Sequence, residues 1–308
     1  MALETDLLID RRRLKRRLNF WRVATVLAVV VAGLVAFRGA GLAGGGGGAL
    51  VQRVVRVNVE GVISENRKLL EAVARLRTDR TVAAVLVSID SPGGSVAGGE
   101  SLHAALKRLA GDKPVVAVMR GTAASAGYMI AMPATRVFAR EATLTGSIGV
   151  ILQTGEVSGL LERLGVRADA LTSGPLKDQP SFTRPLSPEG REYLNALVAD
   201  MYDQFVGIVA AGRKMEPDAV RKLADGRAYT GRQALGLGLV DEIGGEAEAR
   251  AWLARERNVP ERLPVQDLKV GTFLERLGGE AASGFWNATI GSVSPAGAWA
   301  IWQGGSAH

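Results

Sequence analysis

A single hydroxyl stands out in the segment RGTAASAGYMIA, where Ser125 lies among alanines and glycines between two apolar runs. Small neighbours leave the hydroxyl accessible, and AASAG is close to the pattern of a nucleophile elbow, with alanine in place of the first glycine. A serine hydroxyl is a poor nucleophile until a base removes its proton. Ser125 therefore either has a base elsewhere in the chain or only caps the helix that follows it.

Histidine and cysteine are scarce in this chain. It has no cysteine and two histidines: His103 lies in a helical pattern at a position that we expect to be exposed, and His308 is the last residue. Neither has a neighbouring carboxylate pattern that would orient it as a base. Without cysteine there is neither a disulfide nor a thiolate metal site, so we expect no metal and no cofactor.

Lysine is the remaining type of base, and one of the eight lysines differs from the others. Lys177 lies in LTSGPLKDQPSFTRPLS, outside any helical pattern, with Leu176, Phe182 and Leu186 nearby. An amine that apolar neighbours desolvate has a lowered pKa and can act as a neutral base toward serine. The alternative is an ordinary solvent-exposed loop lysine beside Asp178.

Two further turns carry groups that could assist such a reaction. In DSPGGS, the backbone N–H groups of Gly93 and Gly94 could form an oxyanion hole, about 3 Å from a developing negative charge. An ordinary tight turn is the alternative, and a P-loop is excluded because no GK[ST] follows. In TLTGSIGV, Ser147 could cap a strand or hydrogen-bond a catalytic amine.

These turns follow strands in a chain that alternates strands and helices. Strands are predicted from β-branched or unbroken apolar runs at residues 54–61, 82–90, 114–119, 136–140 and 147–153. One helix is predicted to begin at Ser64, and a long one at Ser187. The predicted core face of the long helix is Leu194, Leu197, Val198, Met201, Phe205 and Ile208. The alternation predicts an α/β fold with largely parallel strands, whose carboxyl ends would gather the three turns.

The net charge of the chain is concentrated near its N-terminus. Residues 1–38 hold eight basic and three acidic residues, so they carry most of the total of +7. We predict a basic cytoplasmic segment at 1–22, a transmembrane anchor at 23–38 and a glycine-rich linker at 39–50, with the remainder across the membrane. A signal peptide cleaved near Gly41–Ala43 is the alternative. Because the remainder is nearly neutral, we expect no nucleic-acid partner.

Six pieces of the sequence, in order, resemble the S49 family of bacterial serine peptidases in its single-domain, signal-peptide-peptidase form. They are the N-terminal anchor, DSPGGS, GTAASAGY, TGSIGV, SGPLKD and GRQALGLGLVDEIGG. Beyond the anchor, the resemblance spans about Val54 to Gly245, which is most of the body of the chain. The resemblance implies a ClpP/crotonase-like α/β fold with repeated β-β-α units. It also implies Ser125 as nucleophile, Lys177 as base, Ser147 as the residue that orients the lysine, and an oxyanion hole from Gly93, Gly94 and Ala126.

The same resemblance implies a function and a location. Residues 51–257 would be the peptidase domain and 258–308 a C-terminal extension. The protein would be a single-pass endopeptidase of the bacterial cytoplasmic membrane, with its catalytic domain on the extracytoplasmic side. It would degrade signal-peptide remnants or other membrane-associated peptides and assemble into a homo-oligomeric ring. In some members the serine and lysine come from neighbouring subunits. The alternatives are a stomatin-associated type of membrane protease and a crotonase-type acyl-CoA enzyme.

Overall fold

The computed structural model describes residues 20–22, 24–30 and 52–270 of a chain that divides into two units, 1–51 and 52–308. In the first unit the described residues are helical, and the Thr25 hydroxyl donates to the Trp21 carbonyl over 2.8 Å. A search of the described residues finds no helix with the length and apolar character needed to cross a membrane. Most of the predicted anchor, all of the predicted linker and the end of the predicted extension lie outside the described residues.

The second unit is built on one sheet, in which the described residues supply eight strands. The strands are β1 Arg53–Ile63, β2 Val82–Gly94, β3 Val115–Ala124, β4 Arg136–Ala139, β5 Leu144–Gly146, β6 Ala228–Thr230, β7 Glu242–Ile243 and β8 Val265–Asp267. The main path runs β6-β5-β3-β2-β1-β8, and β4 joins β3 to β7. All pairings are parallel except β5 with β6, so the predicted parallel α/β sheet is confirmed with one antiparallel addition.

Helices connect the parallel strands and cover the sheet. In the described part of the second unit they are Arg67–Leu76, Val96–Ala110, Ala126–Met129, Ser158–Arg163, Pro188–Arg213, Pro217–Leu223, Gly231–Gly236 and Glu246–Arg257. The predicted cap of the long helix Pro188–Arg213 is confirmed, since the Ser187 hydroxyl accepts the Gly190 N–H over 2.9 Å. The first helix begins later than predicted, because Asn66 rather than Ser64 caps it by accepting the Leu69 N–H over 3.0 Å.

Both faces of the central strands are buried. Val85 and Val87 of β2 belong to the larger of two apolar clusters, whereas Ala84 and Leu86 belong to the smaller one beneath the helix that carries Trp252. Successive side chains of a strand point to opposite faces, so a strand covered on both sides must be apolar throughout. This explains why the strand predicted at 82–90, VAAVLVSID, is apolar at every position up to Val87.

Three expectations from the sequence are wrong. Residues 147–153 do not form a strand, because β5 ends where Gly146 (φ 76°) and Ser147 (φ 47°) turn the chain away from the ladder. Leu197 of the long helix is 40% exposed, and the buried side chains instead include Val206, Val209 and Ala210 in the second half of the helix. His103 is half-buried rather than exposed.

A largely buried ion pair locks the long helix to the sheet. Arg213 forms a bidentate pair with Asp241 at 2.7 and 3.0 Å, and the two side chains are only 9% and 23% exposed. Asp241 also accepts the Val137 N–H of β4 over 2.8 Å. Burial works to raise the pKa of Asp241, but hydrogen bonds and charge from Arg213 outweigh it and hold that pKa below its ordinary value. The pair thus joins helix, sheet and the segment that precedes β7.

We expect Asp241→Ala to lower the free energy of unfolding by about 3 kcal/mol, because it leaves a buried guanidinium and the Val137 N–H without their acceptor. Urea denaturation measures the loss. The matched control is Glu141→Ala, which breaks a pair with Arg232 whose side chains are 60% and 74% exposed. That control is expected to cost less than about 1 kcal/mol. Equal losses in the two variants would contradict the claim that breaking the buried pair costs more stability than breaking the exposed one.

Burial of His103 also makes the stability of the fold depend on pH. Desolvation lowers its pKa to about 4, with a further contribution from the Lys107 ammonium. The unfolded chain therefore binds a proton below about pH 6.5, where the folded chain does not, so stability falls as the pH drops from about 6.5 to about 4.

We expect His103→Gln to remove this component, so that the variant loses less stability than the parent between pH 7 and pH 4.5. The expected difference is about 1 kcal/mol, after allowance for solvent screening of a half-buried ring. Urea denaturation at the two pH values measures it. Carboxylates contribute equally to both proteins, so parallel pH profiles would show that the ring is protonated alike in the folded and unfolded chain.

Candidate active site

Ser125 occupies a strained turn between β3 and the short helix Ala126–Met129. Its φ of 53° and ψ of −121° are unusual for a residue with a side chain. Its carbonyl accepts the N–H groups of Tyr128 and Met129, each over 2.9 Å, but its hydroxyl makes no capping hydrogen bond. The reading of Ser125 as a helix cap is therefore wrong. The half-buried hydroxyl lies at a nucleophile elbow and remains available for chemistry.

The elbow is held by the strand beside it. Ala124 pairs with Gly146 of β5, and the Ser125 N–H donates to the Gly146 carbonyl over 2.9 Å. The hydroxyl of the fully buried Thr145 donates to the Ala123 carbonyl over 2.8 Å. These two bonds tie the end of β3 and the backbone of Ser125 to β5. The sheet, rather than the helix that follows, therefore orients Ser125.

Close packing behind the elbow depends on glycine. A Cβ at Gly99 would lie 2.9 Å from the Ala126 Cβ, and one at Gly127 would lie 2.9 Å from the Ser91 carbonyl oxygen. Both distances are shorter than real Cβ contacts, so larger residues would push the elbow outward. The small residues of the motif therefore bring β2, the helix Val96–Ala110 and the elbow into direct contact.

The stretch GLGLVDEIGG, residues 236–245, contacts the helix that follows the elbow. The Tyr128 hydroxyl donates to the Leu239 carbonyl over 2.7 Å, and burial raises the pKa of Tyr128 well above its ordinary value. The phenol therefore stays neutral and keeps its proton to donate. Asp241, two residues further, carries the buried pair with Arg213. Sequence reasoning did not assign a role to Tyr128 or Asp241; the single aromatic residue of RGTAASAGYMIA, three residues after the serine, was the available signal.

Gly93 lies against Ser125, as the predicted oxyanion hole requires. With φ 120°, Gly93 places its missing Cβ 2.9 Å from the Ser125 Cβ and 3.3 Å from the Ser125 Oγ. A Cβ at the neighbouring Gly94 would overlap the Ile63 carbonyl of β1. The DSPGGS turn is therefore not an ordinary exposed turn, since β2 continues through it as far as Gly94.

The backbone N–H groups predicted to form the oxyanion hole differ in their availability. The Gly93 N–H donates to the hydroxyl of the fully buried Ser91 over 3.1 Å. No acceptor for the Ala126 N–H is found in the described part of the chain, as is usual for the first residue of a helix. Ser91 was missed by the sequence reasoning, although it lies within the quoted motif. The oxyanion hole itself stays a prediction.

Ser147 lies beside Ser125 across the ladder. Each serine is the residue that follows the paired Ala124 and Gly146, and neighbouring strands lie about 4.8 Å apart. Ser147 is half-buried, and its N–H donates to the Arg227 carbonyl over 2.9 Å. The structure thus brings Ser125, Ser147 and Gly93 together at the carboxyl ends of three strands.

Lys177 is not part of this group in the single chain. Its side chain is exposed, and its Nζ makes no hydrogen bond or ion pair with any described residue. Asp178 is paired with Arg184 instead, so the adjacent acid does not neutralise the amine. Phe182 is 69% exposed, and the desolvation expected from apolar neighbours is not found within one chain.

Apolar side chains are exposed along the segment that follows Ser147. They are Ile151 (77%), Leu152 (39%), Val157 (44%), Leu160 (58%), Leu164 (67%), Val166 (50%), Leu171 (99%) and Phe182 (69%). Large exposed apolar patches mark binding or assembly surfaces. The segment around Lys177 has the residue types of such a surface.

No cluster of three or more His, Asp or Glu side chains able to hold a metal ion occurs among the described residues. The chemistry available at this site within one chain is that of a hydroxyl and backbone N–H donors, and the Lys177 amine is not among the groups that meet there.

We expect Gly93→Ala to reduce peptide hydrolysis about 100-fold or more, because the new methyl group would collide with Ser125 in a backbone conformation that alanine resists. The matched control is Gly61→Ala, where φ is 70° but no atom lies within 4 Å of the added Cβ. Steady-state hydrolysis of a fluorogenic peptide measures both. Comparable losses in the two variants would attribute the effect to backbone strain rather than to contact with Ser125.

Comparisons with known proteins identify the family of this chain. Residues 107–260, half of the chain, match the family model of peptidase family S49, and residues 49–157 match that of Clp protease. It is 44% identical over 204 residues to a Synechocystis protein named "Putative protease", covering 66% of this chain and 74% of that protein.

Two further relatives have related names. The chain is 36% identical over 235 residues to a "Putative signal peptide peptidase" of Enterococcus faecium, covering 71% of this chain and 68% of that protein. It is 41% identical over 179 residues to Protease 4 of Salmonella typhi, covering 58% of this chain but 29% of the relative. A peptidase assignment leaves no role for the acyl-CoA alternative. With a half-chain match and a well-covered relative, the chain belongs to peptidase family S49 and is a serine peptidase with a mixed α/β, Clp-protease-like sheet.

Proposed function

We propose that Ser125 is the nucleophile and Lys177 the general base of a Ser–Lys dyad. The observation that carries this proposal is that the Ser125 hydroxyl makes no helix-capping hydrogen bond and lies at a strained turn against Gly93 and beside Ser147. His103 does not compete for the role of base, since it lies inside the helix Val96–Ala110 and no carboxylate is hydrogen-bonded to it within the described residues.

The proposed reaction proceeds through an acyl-enzyme. The Ser125 Oγ attacks the scissile carbonyl carbon while the Lys177 amine takes the hydroxyl proton, and the ammonium then gives that proton to the leaving amine as the C–N bond breaks. A water molecule, deprotonated by the same amine, attacks the ester and releases the acid product and the free serine. Ser147 accepts or donates a hydrogen bond that orients the lysine.

The proposed oxyanion hole uses backbone donors on both sides of Ser125. The Ala126 N–H is available, and the Gly93 N–H reaches a substrate oxyanion if it gives up its bond to Ser91. Two such donors aimed at the developing charge are the usual arrangement for acyl transfer. Gly94, whose backbone packs against Ile63, is the second candidate on this side.

The lysine is proposed to reach Ser125 from the same or an adjoining protomer of a ring-shaped homo-oligomer. Support comes from the exposed Lys177 amine and from the exposed apolar side chains on the surrounding segment. Assembly would cover these side chains and remove water from the amine.

The substrates and location are proposed from the relatives and from the N-terminal sequence. We assign residues 1–22 to the cytoplasm, 23–38 to a membrane anchor, 39–50 to a linker, 51–257 to the extracytoplasmic peptidase domain and 258–308 to a C-terminal extension. The substrates would be signal-peptide remnants in the membrane, in line with the name of the Enterococcus faecium relative. A stomatin-associated type of protease would share these catalytic residues and differ in its substrate.

We expect Ser125→Ala and Lys177→Ala each to reduce peptide hydrolysis by about 1000-fold or more, because each removes one half of the dyad. Lys222→Ala, which removes another exposed lysine, is the matched control and keeps full activity. Labelling with a fluorophosphonate probe should be lost in Ser125→Ala and slowed in Lys177→Ala, since the probe requires an activated hydroxyl. Full hydrolysis by Lys177→Ala would remove the lysine from the mechanism.

Mixing the two inactive variants locates the lysine. If the dyad forms between protomers, co-assembled Ser125→Ala and Lys177→Ala chains regain a measurable part of the activity, because some sites receive an intact serine and an intact lysine. If it forms within one chain, the mixture stays inactive.

Ser147→Ala is expected to lower kcat with little change in KM, because the proposed role of Ser147 is to orient the base.

A further inference from the structure

Exposed positive charge gathers at the end of the sheet opposite Ser125. Four cations, Arg75, Arg80, Lys107 and Arg108, lie at or just beyond the carboxyl ends of the helices Arg67–Leu76 and Val96–Ala110. We call these four residues the basic pole. All are exposed, and none forms an ion pair with another described residue.

Hydrogen bonds show that the two helix ends lie together. The Arg77 Nε is 2.5 Å from the Asp112 Oδ2, which joins the residue after the first helix to the turn after the second. The Lys113 Nζ donates to the carbonyls of Asp79 and Val82 over 2.9 and 2.8 Å. The four exposed cations therefore belong to one surface rather than to two.

The acids of this surface are already engaged. Asp79 is paired with Arg53 at 2.9 Å, and Asp112 with Arg77. Residues 75–80 and 107–113 hold six basic and two acidic side chains, whereas the described part of the second unit as a whole has only three more basic than acidic residues. The remainder of this unit is thus slightly acidic, and its charge is polarised toward the basic pole.

The basic pole lies at the opposite end of the parallel sheet from the candidate active site. Both segments directly precede the starts of β2 and β3, at Val82 and Val115, whereas Ser125 follows the end of β3. A strand of ten residues is about 30 Å long, so the pole and the catalytic hydroxyl are separated by roughly that distance.

The chain also enters the second unit at this end. Arg53, the first residue of β1, is hydrogen-bonded to Asp79 beside the pole. Only fourteen residues separate it from the end of the apolar stretch at Arg38, so an extended chain between them reaches at most about 50 Å.

We propose that the basic pole binds the surface of a membrane that contains anionic phospholipid. Clustered lysine and arginine side chains are attracted to such a surface, each strengthening the association several-fold at physiological salt, over a range of about 8 Å. The contact holds the amino-terminal end of the sheet against the headgroups and points Ser125 away from them. This surface is separate from the proposed dyad and does not depend on the peptidase mechanism.

The absence of cysteine allows a direct test with the full-length chain. Thr78→Cys places one fluorophore beside the pole, and Ser173→Cys places one on the exposed segment near Lys177. Each labelled protein is reconstituted into phosphatidylcholine vesicles that carry a headgroup quencher, with or without about one third phosphatidylglycerol. We expect at least about threefold stronger quenching at residue 78 in the anionic vesicles, no such change at residue 173, and loss of the difference in about 0.5 M salt.

Charge-neutralising variants assign the effect. Changing the four residues of the basic pole to glutamine should abolish the lipid-dependent quenching at residue 78 while leaving peptide hydrolysis unchanged. The matched control neutralises four exposed cations elsewhere, Arg163, Arg167, Arg191 and Lys222, and should keep the quenching.

Three outcomes overturn the proposal. They are equal quenching in neutral and anionic vesicles, quenching that survives in the pole variant, and equal loss in the control variant. An oligonucleotide that binds the pole as tightly as anionic vesicles do, and loses binding in the same variant, would assign the surface to nucleic acid instead. The quenching and oligonucleotide measurements do not require an active enzyme, so failure of the dyad and failure of the lipid contact are seen separately.

Discussion

The backbone of Ser125 is the constraint on which the active-site end of the molecule depends. A residue with a side chain held at φ 53° and ψ −121° carries local strain of about 1–3 kcal/mol, which the surrounding structure has to offset. The bond from the Ser125 N–H to the Gly146 carbonyl and the ladder between β3 and β5 hold it in place. As a result, the hydroxyl does not cap the helix behind it and is free to react.

That constraint explains why the neighbouring sequence is so rich in small residues. Gly93, Gly99 and Gly127 each touch the elbow or its supports at distances that leave no room for a Cβ. Alanine and glycine provide little hydrophobic burial of their own. The stability of this end therefore comes from the apolar strands beneath it and from the Tyr128 and Asp241 contacts with distant segments.

Parallel topology gives the two ends of the sheet different chemistry. Strand carboxyl ends gather turns whose backbone groups are free, and there the serines and the glycine-rich turn converge. Strand amino ends gather the carboxyl ends of helices, where lysine and arginine are stabilised by the carbonyl groups. The Ser125 turn and the basic pole are thus two consequences of one arrangement of strands and helices.

The residue types and their order along the chain determined the class of chemistry, the parallel α/β fold, the doubly buried β2 and the Ser187 cap, because each depends on near neighbours or on a simple period. Only the tertiary structure decided which groups meet. Ser125 contacts Gly146, Arg213 pairs with Asp241, and residues 147–153 leave the ladder, since strand register and burial bring together groups far apart in sequence. Lys177 follows the same rule, because its apolar neighbours in sequence predicted a desolvated amine, whereas in the folded chain both Lys177 and Phe182 are exposed.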